Sequence, residues 1–153
     1  MAEITTHSNR RAASAAGPIY LLLFPIPVVC FFGALATDTA YRSSALLMWL
    51  HFSEWLIAAG LAFGALAALV LLIEFVGSRA IRRGRTGWAH LALFYATLIV
   101  ELLNAFIHSI DGWTAVVPTG LTLSIIGALL ALGAVGALFF VPVTWVELRE
   151  AGT

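Results

Sequence analysis

Long apolar stretches alternate with short polar links along this chain. The first stretch runs from about Pro18 to Ala36, the second from Ala45 to Val76, the third from Trp88 to Ile110 and the fourth from about Gly120 to Val146. A helix needs roughly 20 apolar residues to cross a bilayer core, so each stretch predicts one crossing. The second is longer than that need and is expected to tilt or protrude. Pro18 suits a helix start, whereas Pro25 and Pro27 lie inside the first stretch and predict a kink or an irregular first turn. The links Thr37–Ser44, Gly77–Gly87 and Asp111–Thr119 are too short for another domain. Neighbouring helices should therefore pack antiparallel, as an all-α, four-helix up-down transmembrane bundle over residues 18–146. Residues 1–17 and 147–153 read as polar tails. Ala34-Leu35-Ala36 resembles a signal-peptidase site. The first stretch is nevertheless expected to be retained as a helix.

Composition narrows the class. Of 153 residues, 61% are apolar and 10% charged, against about 25% charged in an ordinary soluble domain. Too little polar surface is present to cover a water-soluble globule. A disordered chain, a disulfide-stapled module and a nucleic-acid binder are excluded. The lipid bilayer is the expected surrounding, with other membrane subunits or a second copy as expected partners.

Charge adds orientation. The net charge is zero, and every basic residue is Arg. Arg10, Arg11, Arg79, Arg82, Arg83, Arg85 and Arg149 fall on one side of the predicted bundle, and only Arg42 on the other. The positive-inside rule then puts both termini in the cytoplasm of a bacterial inner membrane. Trp49, Trp88, Trp113 and Trp145 sit near predicted membrane edges, as an aromatic belt does. The lone Cys30 reads as a small buried thiol.

Small residues recur every fourth position. Gly60 and Gly64 are followed by Ala67 and Ala68, and Gly127, Ala131 and Ala134 have Gly133, Gly136 and Ala137 beside them. Such residues let helix backbones approach closely in lipid.

The third stretch carries the candidate chemistry. His90, Thr97, Glu101, Asn104 and His108 project within about 40° of one direction at 100° per residue. A polar face of this length cannot look at lipid; it must look into the bundle, at a cofactor or at a partner chain. Glu101 lies at mid-depth with no basic residue at its level, so it is expected to stay protonated and to bond Asn104 or Thr97. That leaves a packing network or a proton relay. His51 and His108 are expected at one depth near the end away from the arginines. Two imidazoles so placed are the ligand set of a six-coordinate haem b, with Asn104, Glu101 and His90 as further cofactor-side residues. Interfacial histidines that merely meet headgroups are the plainer alternative. His51 shares a face with Trp55, Ala58, Ala62 and Ala65, which leaves room for a flat ring or permits close packing. His90 and Glu74 form a second candidate pair at the arginine-rich end, where ion pairing of Glu74 with Arg79 or Arg82 is preferred. Asp38 and Asp111 read as helix-end or loop acids, and His7 takes no role. No nucleophile elbow, zinc pattern or phosphate loop occurs, so hydrolase chemistry is not expected.

Several short motifs, in order, bear a family resemblance. Phe24-Pro25-Ile26-Pro27 and Gly33-Ala34-Leu35-Ala36-Thr37-Asp38-Thr39-Ala40-Tyr41 resemble the first helix of the bacterial membrane proteins grouped as domain of unknown function 2231. Leu56 to Gly60, Ile73-Glu74-Phe75 (where the family usually has Asp), Gly87-Trp88-Ala89-His90 and Asn104 extend the match to about residues 17–146. The resemblance implies a four-helix inner-membrane protein of unassigned activity. Family members usually carry histidines before helix one, at the opening of helix three and just after helix four. This chain keeps the middle one as His90, whereas Gly17-Pro18-Ile19-Tyr20 and Phe139-Phe140-Val141-Pro142-Val143 hold none. His51 and His108 match no family position. Three functions stay open: a b-type haem subunit passing electrons to or from the quinone pool, a cofactor-free accessory subunit that scaffolds a membrane complex, and a proton or small-solute conduit.

Overall fold

The computed structural model describes residues 17–77, 85–110, 114 and 116–139. Their order is α1 (Pro18–Leu23), α2 (Pro25–Ser44), α3 (Leu47–Gly77), α4 (Arg85–His108), a wide turn at Val116–Gly120 and α5 (Leu121–Phe139). These make four membrane-length spans, because α1 and α2 run on as one span, Pro18–Ser44. Phe24 between them keeps helical angles, φ −58° and ψ −37°, and its N–H still reaches the Tyr20 carbonyl at 2.8 Å. Pro25 and Pro27 then have no N–H to donate to the turn before, which is where the helix divides.

The first link expected from the sequence is not a link. Residues 37–44 are helical, and the turn to α3 is only Ala45 and Leu46. The polar side chains there are compatible with helix because their hydroxyls bond back along it. Thr37 donates to Gly33 and Ala34, Thr39 to Leu35, and Ser43 and Ser44 to Ala40. Ala45 ends the helix in the left-handed region, φ 55° and ψ 19°, with its N–H on the Tyr41 carbonyl at 2.7 Å. α4 begins at Arg85, ahead of the expected Trp88, and α5 is described to Phe139. Pro142, Trp145, Arg149 and both tails lie outside the described residues, as do His7, Arg79, Arg82, Arg83, Asp111 and Trp113.

The spans close into a ring: α2 packs on α3 and α5, and α4 packs on α3 and α5. Each helix turns one seven-residue pattern inward. In α2 the buried positions are Pro27, Phe31, Ala34, Asp38 and Tyr41; in α4 they are His90, Phe94, Thr97, Glu101, Asn104 and His108. Alternating steps of three and four are the seam of left-handed helix packing. Gly60, Gly64, Ala67 and Ala68 of α3 are buried, as are Gly127, Ala128, Ala131 and Ala134 of α5. A Cβ on Gly60 would meet the Phe31 ring, so the glycine there permits the α2–α3 approach. Gly136 has open space beside it and takes no part in this packing. Cys30 is partly exposed on α2 rather than buried.

Two apolar clusters bracket the bundle axis. One, at the α4 N-terminal end, joins Tyr20, Phe24, Ala67, Ala68, Leu71, Phe94 and Ala134. The other, at the opposite end, joins Tyr41, Leu50 and Val116. Between them lies a polar layer.

Candidate functional site

The polar face of α4 looks into the bundle: its five polar side chains are each at most 3% exposed. In the half toward the α4 C-terminus every span contributes to one cluster. Asp38 comes from α2, Ser53 from α3, Glu101, Asn104 and His108 from α4, and Ser124 from α5, all buried. Asp38 is the centre. Its Oδ1 lies 3.0 Å from His108 Nε2, and its Oδ2 accepts from Ser124 Oγ at 2.5 Å. Asn104 Nδ2 donates to Ser124 Oγ at 2.9 Å and to Glu101 Oε2 at 3.1 Å. Ser53 Oγ stands 3.4 Å from His108 Nε2. Thr97 satisfies its hydroxyl within α4, on the Leu93 carbonyl.

The surroundings of His108 constrain its protons. Nδ1 lies 3.0 Å from the Asn104 carbonyl oxygen. A carbonyl oxygen only accepts, so Nδ1 carries a hydrogen. Nε2 then faces the Asp38 carboxyl. Either Nε2 also carries a hydrogen and the pair is imidazolium–carboxylate, or the hydrogen sits on Asp38 and points back at a neutral ring. In both states the pair holds one proton more than a neutral imidazole beside a bare carboxylate.

Among the described residues, two buried side-chain oxygens have no hydrogen-bond partner, Glu101 Oε1 and Asn104 Oδ1. Glu101 Oε1 occupies the space that a Cβ on Gly127 would take. The described arginines, Arg42 and Arg85, are exposed at helix ends and outside this cluster. An ionised carboxylate in apolar surroundings without a cation is costly. The arrangement therefore suits Glu101 as a neutral acid beside the one charged or proton-sharing pair.

His90, at the other end, has a closed shell. Its Nδ1 donates to the Ala134 carbonyl at 2.8 Å, and its Nε2 accepts from the Tyr20 hydroxyl at 2.5 Å. Phe24 and Phe94 pack around its ring. One N–H and one lone pair satisfy all of this, so a neutral ring suffices. Glu74 accepts from the Gly17 N–H at 2.8 Å, at the start of α1. There the helix dipole favours a carboxylate. His90 and Glu74 thus bond separately to the first span; the arginines expected to pair with Glu74 lie outside the described residues.

His51 is exposed, its Nδ1 lying 3.3 Å from Glu54 Oε2. It borders a cleft between α3 and α4 that His108 also borders. The two histidines expected as a pair thus share a cleft but differ in environment. Among the described residues no group of three or more metal-ligating side chains forms.

Asp38 is the correction to the sequence reading. Expected as a helix-end or loop acid, it is fully buried, because His108 and Ser124 supply its hydrogen bonds from other spans. A signal existed: Asp38 stands four residues after Ala34 and three before Tyr41, on the face of Pro27 and Phe31. Ser53 and Ser124 had no signal of their own, since lone serines in apolar helices usually bond to their own backbone.

A sequence model of the family described as "Predicted membrane protein (DUF2231)" matches residues 16–140. No curated protein and no solved structure shows significant similarity to the chain.

Proposed function

The chain belongs to the DUF2231 family of predicted membrane proteins, and on that footing we propose that it exchanges protons at the buried Asp38–His108 pair. The observation that carries this reading is the double engagement of His108, whose two ring nitrogens both face acceptors. The pair is a proton store inside hydrocarbon, where ionisable groups are costly to keep. Ser124 and Asn104 tie it to Glu101, a second buried carboxyl group that keeps its own proton. Apolar clusters lie at both ends of the axis, so exchange runs sideways, through the cleft that His108 borders. The arginine asymmetry supports an orientation with this half of the bundle toward the periplasm of an inner membrane and both termini cytoplasmic.

A second reading keeps a b-type haem on His51 and His108, and one observation favours it: both residues border the same cleft. It asks His108 to give up Asp38, leaving a buried carboxyl without that partner.

Proton uptake on acidification of the reconstituted chain tests the proposal, read together with the carboxyl C=O stretch in the infrared. Asp38→Asn is expected to take up about one proton per chain fewer than the wild type, and the band change disappears in that variant. Glu101→Gln should remove a band that does not follow pH. Uptake, or the infrared band change, left unaltered in Asp38→Asn would overturn the reading. A Soret band lost in His51→Ala and His108→Ala, but kept in His90→Ala, would establish haem instead. A colourless protein whose uptake is unaltered in Asp38→Asn, and that co-purifies with stoichiometric membrane subunits, would identify an accessory part.

A further inference from the structure

We infer that the seam between α3 and α4 is a binding groove for a long-tailed amphiphile with an uncharged, hydrogen-bonding head, the chemistry of a membrane quinone or quinol. The groove has two consecutive sections. The mouth is an open hollow of about 480 Å³ between His51, Glu54 and Ala58 of α3 and Ala105, His108 and Ser109 beside them. The body is an open hollow of about 460 Å³, lined by Leu61, Ala62 and Ala65 of α3 and by Tyr95, Leu98 and Leu102 of α4. Each volume falls within the roughly 300–1,000 Å³ usual for small-molecule sites. Ala58, Ala62 and Ala65 follow one another by single turns, so mouth and body lie on one line. In the body, Ala62 and Ala65 beside Leu61 make the α3 wall, and larger apolar side chains make the α4 wall.

Length and polarity select the occupant. From Ser109 to Tyr95 the groove follows α4 for about 20 Å at its helical rise. That exceeds half of the ~30 Å hydrocarbon thickness. Tyr95 donates to the Ala68 carbonyl at 2.9 Å, which ties α4 to α3 at the tail end. The body is almost wholly apolar, while the mouth carries two imidazoles, a carboxylate and a hydroxyl. A phosphate head would meet Glu54 there with no Lys or Arg among the bordering residues. An uncharged ring meets no such penalty. His51 turns Nδ1 to Glu54, which leaves Nε2 to accept from a quinol hydroxyl or, when protonated, to donate to a quinone carbonyl. Binding in this groove does not depend on proton exchange at Asp38 and is measured without it.

The test uses the full chain in phosphatidylcholine vesicles with a photoreactive, long-tailed azidoquinone. Adducts are expected on α3 and α4, displaced by unlabelled quinone and not by added phosphatidylcholine. Ala62→Trp fills the body and should lower labelling about tenfold, equivalent to ~1.4 kcal/mol. Leu129→Trp, on an exposed face of α5, should leave labelling unchanged. His51→Ala removes a head contact without filling the groove, and a loss of about fivefold is expected for one hydrogen bond. That second variant keeps the proposal testable where Ala62→Trp fails to fold by circular dichroism. Adducts spread over all exposed helix faces, labelling that survives both groove variants, or displacement by phosphatidylcholine would overturn it.

Discussion

Gly127 shows how little room surrounds the Glu101 carboxyl. Its missing side chain is the space that Oε1 fills, so Gly127→Ala forces Glu101 to move inside a packed interior. Overpacking of this kind costs about 1–3 kcal/mol. The variant should unfold at lower temperature in detergent and lose the Asn104–Glu101 hydrogen bond. Asp38 offers a sharper comparison. Asp38→Ala strands His108 and Ser124 together, which costs ~1–3 kcal/mol for a neutral pair and ~3–5 kcal/mol for an ionic one. Asp38→Asn keeps an acceptor for Ser124 and should lose less. Resistance to unfolding by sodium dodecyl sulfate should rank wild type above Asp38→Asn, and Asp38→Asn above Asp38→Ala. If the two variants are equal, the hydrogen bonds around Asp38 do not stabilise the bundle as argued.

Single glycines and one strained turn set how the helices pack. Gly60 faces the Phe31 ring across the α2–α3 seam, whereas Gly136 faces open space. Gly60→Ala should therefore lower thermal stability, because Phe31 must shift. Gly136→Ala should hold or raise it by up to ~1 kcal/mol through helix propensity. Opposite signs for the same chemical change would separate packing from propensity; matching signs would contradict the assigned seam. Between α2 and α3, Ala45 takes a left-handed conformation that costs a non-glycine residue roughly 1–2 kcal/mol. Ala45→Gly relieves this at the expense of a more flexible unfolded chain, so a small gain is expected. Ala45→Val should lose clearly more, as read by the unfolding midpoints of the two variants.

On the scale of the whole molecule, the large apolar side chains left outside define the lipid-facing belt. Leu22, Trp55, Val76, Leu129 and Phe139 are all exposed. Lipid, not water, is the medium that makes such a surface stable. The proposed orientation predicts sidedness. In a chain whose Cys30 is replaced by Ala, Ser43→Cys should react with a membrane-impermeant maleimide from the periplasmic side. Arg85→Cys should react only in inverted vesicles. Reversed labelling would invert the topology and move the proton pair to the cytoplasmic half.

Hydropathy and the three-and-four spacing of polar residues on α4 suffice by themselves for a four-span helical bundle with His90, Thr97, Glu101, Asn104 and His108 turned inward. Hydrocarbon imposes both, since it accepts neither unpaired backbone nor exposed polar side chains. The partners of that face were not legible. Asp38, Ser53 and Ser124 join it from three other helices, at sequence separations of 70, 55 and 20 residues from the groups they meet. A carboxylate at the end of an apolar run reads as a loop residue until other helices supply its hydrogen bonds. Periodicity gives the direction of a side chain from its own helix; only the packing of four helices decides which groups meet there, and hence where a proton can reside.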